Sequence, residues 1–202
     1  MEKSIAVLLS GSGRTLDNLI RRLDTSIKIG PVVSSREDAG GIGIAKEHGL
    51  PAFVVPRTDY SSSESFSQAI NDILAPFEPG LIILAGFLSY YHYPDNYEGR
   101  VMNIHPALIP SFCGKGYYGM RVHEAVYEKG VKITGCTVHF VDRHYDQGPI
   151  ILQRACPVED SDTPESIARK VFALECEAYP RAIRLYFENR LIVRGQRVLT
   201  SE

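Results

Sequence analysis

The side chains that most invite chemistry are Asn103 and His105, one residue apart where the apolar run Val101–Ile104 gives way to Pro106 and Pro110. In an extended chain, residues i and i+2 share a face, so both would project from the end of one strand. An Asn amide is a neutral donor suited to a carbonyl oxygen acquiring negative charge, and His is the side chain that exchanges protons most readily near neutral pH. Asp146 follows in the turn-rich stretch 142–148. If the fold brings it beside His105, its charge favours imidazolium. Asn103 and His105 together suit acyl-type transfer. Blander readings remain at this point: a turn asparagine, a structural histidine, and a carboxylate capping its own turn. His139, two residues from Thr137 and alternating with Cys136, Val138 and Phe140, is either a supporting hydrogen-bond group or a buried structural histidine.

A second candidate is Ser10-Gly11-Ser12-Gly13-Arg14-Thr15, directly after the first apolar run and before a helical one. Glycines let the main chain approach a ligand, and the amides of Gly13, Arg14 and Thr15 at a helix start can donate to phosphate oxygens. A ligand-free tight turn and an NADP-type site both compete. Against the latter, Gly11-x-Gly13-x-x-Leu16 lacks the third small residue, and the second strand ends in Ser34-Ser35-Arg36 rather than a ribose-binding acid. Metal chemistry has little support, because His123-Glu124 lacks the second histidine of a zinc-protease helix and the other histidines lack ligand spacing. Cys113 has no identifiable base partner and is not read as a nucleophile.

The elements that must position these groups alternate. Strand-length apolar runs at 4–9, 27–34, 52–55, 81–84 and 101–104 are separated by helical spacing at 15–23, 39–48 and 64–74. That order predicts an α/β, Rossmann-like fold, a mostly parallel sheet with helices on both faces. The second half changes: 132–141 and 149–158 flank a turn and predict an antiparallel hairpin. Asp162-Thr163-Pro164-Glu165 supplies an N-cap, an early-helix proline and a first-turn acid for a long helix running to about Phe187, with Pro180 kinking or breaking it. Residues 191–199 alternate like a single edge strand. With 202 residues, the chain can bury roughly 70% of its unfolded surface without staples. One domain is expected over 1–202, a phosphate-binding half to about residue 100 and a catalytic half beyond. Lys and Arg number 22 against 24 Asp and Glu, giving no electrostatic reason to expect nucleic acid. Four dispersed cysteines and the lack of any signal-peptide or membrane-length apolar run predict a soluble, cytoplasmic protein with reduced thiols.

The string Asn103-Ile104-His105-Pro106-Ala107-Leu108-Ile109-Pro110 resembles the Asn-x-His-Pro-Ser/Ala-Leu-Leu-Pro signature of the 10-formyltetrahydrofolate-dependent formyltransferases. Gly135-Cys136-Thr137-Val138-His139-Phe140-Val141 and Asp146-Gln147-Gly148-Pro149-Ile150-Ile151 resemble two further blocks of that family, in the same order. The glycine-rich start and Leu84-Ala85-Gly86-Phe87 match as well, so the resemblance covers nearly the whole chain. It implies a formyl transferase of purine biosynthesis with Asn103, His105 and Asp146 catalytic. The short chain resembles members built from the catalytic domain alone, which act on glycinamide ribonucleotide, with 10-formyltetrahydrofolate as co-substrate and no permanently bound cofactor or metal. Members acting on an amino sugar nucleotide are the nearer alternative, an NADP-dependent oxidoreductase or a non-catalytic binding module the farther ones. The resemblance also implies phosphate contacts at Gly13, Arg14 and Thr15 and a nucleotide contact at Glu175. It places folate contacts at Leu88, Ser89, Tyr90 and Tyr91 and at Arg143, His144 and Tyr145. Ser89 stands where relatives often carry Arg, and the Gly- and Tyr-rich segment 113–121 departs from the family's short turn. Small-molecule partners, no membrane, and a monomer or homodimer are expected.

Overall fold

A computed structural model describes residues 3–201. The chain divides into two compact units, Met1–Met102 and Asn103–Glu202. In the first, β1 (Ser4–Leu9), β2 (Lys28–Ser34), β3 (Ala52–Val54) and β4 (Leu81–Leu84) alternate with α1 (Arg14–Arg22), α2 (Gly40–Glu47) and α3 (Ser63–Leu74). The strands lie in the order β3-β2-β1-β4, each pair parallel. Ile5–Leu9 and Leu81–Ile83 are fully buried, which is why these runs are continuously apolar rather than alternating. Each such aliphatic side chain contributes about 1.5–3 kcal/mol by leaving water. The α/β class and the parallel strands are as the sequence predicts.

The second unit takes up the chain within β5 (Val101–His105) and continues through α4 (Met120–Lys129), β6 (Ile133–Phe140), β7 (Ile150–Pro157), α5 (Pro164–Phe187), β8 (Leu191–Arg194) and β9 (Arg197–Thr200), with strands ordered β5-β6-β7-β9-β8. β6 and β7 form the expected antiparallel pair, from Ile133 opposite Pro157 to His139 opposite Ile150. One expectation needs correction. Residues 191–199 are a second antiparallel hairpin rather than one strand, because Gly195, at φ 58°, supplies the left-handed turn residue that a two-residue connection requires. Within the expected capping quartet it is Thr163 that caps α5, in a reciprocal capping box with Ser166. Asp162 instead accepts bonds from Glu159 N, Ser166 Oγ and Lys170 Nζ. α5 runs to Phe187, as expected, and continues through Pro180 with Ala178, Tyr179, Ala182 and Ile183 buried around the proline. Burial of that face outweighs the one hydrogen bond a proline forgoes. Among the described residues no helix is long and apolar enough to cross a membrane.

Candidate active site

β5 ends with Asn103 half-buried and His105 buried, and β6 runs on to His139, also buried. One amide connects them. Asn103 Nδ2 lies 3.2 Å from His139 Nε2 and 3.4 Å from Asp146 Oδ1. His139 Nδ1 is 2.8 Å from the Phe140 carbonyl, an acceptor only, so Nδ1 carries the ring proton. In neutral His139, Nε2 is then left to accept from Asn103, which fixes the amide with its NH₂ toward His139 and Asp146. Of the two contacts, the longer one to Asp146 is the weaker and the more readily exchanged for a bond to a ligand oxygen.

Asp146 is the hub. Its Oδ2 accepts from Gly114 N at 2.8 Å and stands 3.6 Å from His105 Nδ1, while Oδ1 stands 3.6 Å from His139 Nε2. Burial alone would raise this carboxyl, but the N–H and positive charge that His139 and His105 present when protonated, together with the Gly114 amide, hold it below the ordinary carboxylate range. His105 moves the other way. Burial pushes its imidazole below the usual value, although Asp146 and the Phe112 carbonyl both pull upward. The resting pair is therefore a carboxylate beside a neutral imidazole. Because His105 Nε2 is 2.8 Å from the Phe112 carbonyl, Nε2 holds the proton and Nδ1, facing Asp146, is the basic atom.

Local sequence explains how the cluster is held. Thr137, facing the same way as His139, donates to the Ala107 carbonyl at 2.7 Å and accepts from Ile109 N at 3.1 Å and Gln153 Nε2 at 2.9 Å, pinning the segment that leaves His105. Asp146 itself adopts φ 56°, a left-handed conformation that Asp tolerates better than most residues. Two residues on, Gly148 is buried against the backbone of β6, and a Cβ there would collide with the Phe140 carbonyl. The Asp-x-Gly spacing thus reflects a turn that lies directly on the end of β6.

The other sequence-predicted residues are placed as follows. In the first unit, Gly13 is the N-cap of α1 with φ 82° and, as a glycine, supplies no side-chain cap to its first turn. A Cβ on Gly13 would collide with Gly41 Cα, which gives this glycine a packing reason of its own. Ser10 was not singled out in the sequence, yet its Oγ joins Ser35 Oγ at 2.6 Å and accepts from Leu88 N at 2.9 Å, tying the glycine-rich turn to 86–91. Leu88 is 50% exposed; Ser89 and Tyr90 are half-buried. Tyr91 is buried against Phe87 and Tyr93, its hydroxyl donating to Asn71 Oδ1 at 2.6 Å, so its side chain supports the segment from beneath.

In the second unit, Arg143, His144 and Tyr145 are exposed in a turn that Asp142 closes by accepting from His144 N. Glu175 lies on α5, half-buried, where its charge adds to burial in pushing the Cys136 thiol up to about 12. Two backbone groups absent from the sequence reading, the Phe112 carbonyl and the Gly114 amide, belong to the Asn103 cluster. Glycines at 114 and 116 signalled left-handed backbone, which both adopt, but nothing in the sequence showed which group an amide would face. Among the described residues no group of three or more His, Cys, Asp or Glu is placed to hold a metal ion.

A family model described as "Formyl transferase" matches residues 3–183. The trifunctional purine biosynthetic protein adenosine-3 of Gallus gallus is 39% identical over 186 residues, 90% of this chain but 18% of that protein. The chloroplastic phosphoribosylglycinamide formyltransferase of Vigna unguiculata is 34% identical over 197 residues, 95% of this chain and 63% of that protein. The chain thus spans less than two thirds of both these relatives. The crystal structure of glycinamide ribonucleotide transformylase 1 from Symbiobacterium toebii matches with a TM-score of 0.90 at 37% identity, covering 98% of this chain and 94% of the other.

Proposed function

The chain belongs to the formyl transferase family, and we propose that it transfers the formyl group of 10-formyltetrahydrofolate to the amine of glycinamide ribonucleotide, yielding formylglycinamide ribonucleotide and tetrahydrofolate. The observation that carries this reading is the network in which Asp146 joins His105, His139 and Asn103 at the end of β5. The substrate nitrogen attacks the formyl carbon, and the carbonyl electron pair moves to oxygen. An Asn103 N–H donates to that oxyanion, a contribution of about 3 kcal/mol for a single donor of this kind. The proton released from the amine passes to His105 Nδ1, where Asp146 stabilises the resulting imidazolium. Collapse re-forms the carbonyl and expels the folate nitrogen, which takes a proton back through the same pair. His139 acts as a positioning residue by fixing the Asn103 amide.

In this reading the nucleotide phosphate is taken by the Gly13, Arg14 and Thr15 end of α1, where backbone donors and the helix dipole favour an anion. Glu175 is assigned to the nucleotide. Leu88, Ser89, Tyr90 and the backbone of Tyr91, with the 143–145 turn, are assigned to the folate. The two units serve as one formyltransferase domain in the cytoplasm, as monomer or homodimer, without metal. A neutral resting His105 predicts that kcat/KM falls on the acid side as His105 protonates, with the limb below the ordinary histidine value of about 6.5. The decisive assay incubates the protein with 10-formyltetrahydrofolate and a panel of glycinamide ribonucleotide and amino sugar nucleotides, following products by mass. Formylated glycinamide ribonucleotide supports the proposal; product from another amine alone overturns it.

A further inference from the structure

We propose that the tripeptide Phe112–Gly114 is a positioning strap that assigns the two jobs of the His105/Asp146 pair, one through a carbonyl and the other through an amide. The inference rests on the transfer reading above and adds residues to it. His105 and Asp146 come from different elements, the end of β5 and the turn after β6, and face each other at 3.6 Å, beyond direct hydrogen-bond reach. What they share is this segment. The Phe112 carbonyl stands 2.8 Å from His105 Nε2, and two residues later the Gly114 N–H reaches Asp146 Oδ2 at 2.8 Å.

The polarity of these contacts matters more than their number. A carbonyl only accepts, so it fixes the His105 proton on Nε2 and leaves Nδ1 basic, turned to Asp146. An amide N–H only donates, so it favours the charged carboxylate. The groups facing the His105 ring are Asp146, His139 and the Phe112 carbonyl. Of these, only the carbonyl lies within hydrogen-bond distance of a ring nitrogen, and it therefore sets the neutral tautomer against the weaker, longer pull of Asp146 on Nδ1. Swapping the tautomer would place an N–H between ring and carboxylate in the resting state and remove the proton acceptor the transfer needs.

Backbone conformation supports a built feature. Phe112 has φ 51° and Gly114 φ 89°, so both flanks of Cys113 are left-handed, and Phe112 has no steric licence for that region. Two contacts hold the kink in place: the Phe112 ring meets Tyr117 edge to face, and Cys113 Sγ donates to the Pro110 carbonyl at 3.3 Å. A left-handed pair reverses the chain sharply enough for a carbonyl and an amide two residues apart to address partners on the same side.

The test varies residue 112 in the full chain. Phe112→Val places a β-branched residue where φ must be positive and so dislodges the carbonyl; Phe112→Gly keeps the conformation while removing the ring. Each protein, with the parent, is labelled with 15N-histidine and the His105 nitrogen shifts are read without ligand above pH 8, alongside kcat, KM and the pH dependence of kcat/KM. Expected are an Nε2–H tautomer in the parent and in Phe112→Gly, and a mixture in Phe112→Val. The valine protein should lose kcat about 10-fold or more, with both KM values within about threefold and its acid limb shifted, and glycine should restore most of that loss. A valine protein that keeps the Nε2–H tautomer and the parental acid limb overturns the strap. So does a glycine protein as impaired as valine, which would assign the effect to the lost ring. Because the tautomer is read without substrates, a parent that formylates none of the panel overturns the transfer reading and leaves the strap to be decided by the nitrogen shifts.

Discussion

The turn after β1 and the turn after β6 both carry functional expectations, and they are built in opposite ways. The first offers backbone: Gly13 starts α1 with no side-chain cap, and Ser10 ties the turn to Leu88 N. The second offers a side chain, Asp146, whose two oxygens lie within 3.6 Å of Asn103, His105, His139 and Gly114 N. A backbone anion site tolerates side-chain change but not change in φ, whereas a carboxylate hub fails when one atom type is altered. Binding and chemistry should therefore separate under mutation.

The largest effect is expected at the hub. Asp146→Asn keeps shape and removes charge, so kcat should fall at least about 100-fold, with circular dichroism unchanged and nucleotide KM within about threefold. Asn103→Ala and His105→Ala should fall by similar factors. Near-normal turnover in folded Asp146→Asn would place the chemistry elsewhere and dissolve the contrast. The glycines come next. Gly148→Ala must push the turn off the Phe140 carbonyl, and Gly13→Ala combines φ 82° with a collision at Gly41. Each should cost about 1–3 kcal/mol in urea denaturation. Gly11, with open space around it, should accept Ala within about 0.5 kcal/mol. Beyond stability, Gly148→Ala should lower kcat, and Gly13→Ala should raise nucleotide KM.

How much of this was legible in the sequence follows the same division. Asn103 and His105 were readable because spacing along a strand survives folding, and Asp146 because its motif includes the Gly148 that the backbone contact demands. The parallel first half was legible from apolar runs of strand length. What escaped were groups without side-chain identity: the Phe112 carbonyl and Gly114 amide could be any residue's. Gly195 was misread because alternation on both sides of a two-residue turn looks continuous. Asp162 and Thr163 are both plausible caps by type, and only geometry chose between them.

A gentler change tests the binding side. Arg14 is exposed at the start of α1, so Arg14→Ala should raise the KM for glycinamide ribonucleotide about 10-fold and leave kcat within about twofold, as expected for a charge that binds substrate and transition state alike. A fall in kcat matching the rise in KM would mean that the phosphate site helps assemble the reacting groups, and the two turns would then act as one device.

The smallest effect is confined to acid. Asp162 accepts from Lys170 Nζ at 2.6 Å, Ser166 Oγ at 2.7 Å and Glu159 N at 2.8 Å, and these contacts, Lys170 first, lower its carboxyl to about 2. A carboxyl depressed in the folded state contributes stability that is fully present above its unfolded value of about 3.9 and is lost as pH falls through the folded value. Urea midpoints should therefore drop between about pH 4 and pH 2, and Asp162→Asn should flatten that window while lowering the plateau above it. Activity at neutral pH should not change, since Asp162 lies before α5 and away from the Asn103 cluster. If Asp162→Asn instead alters kcat, the start of α5 is coupled to the hub, and the second unit's side-chain networks are one system rather than two.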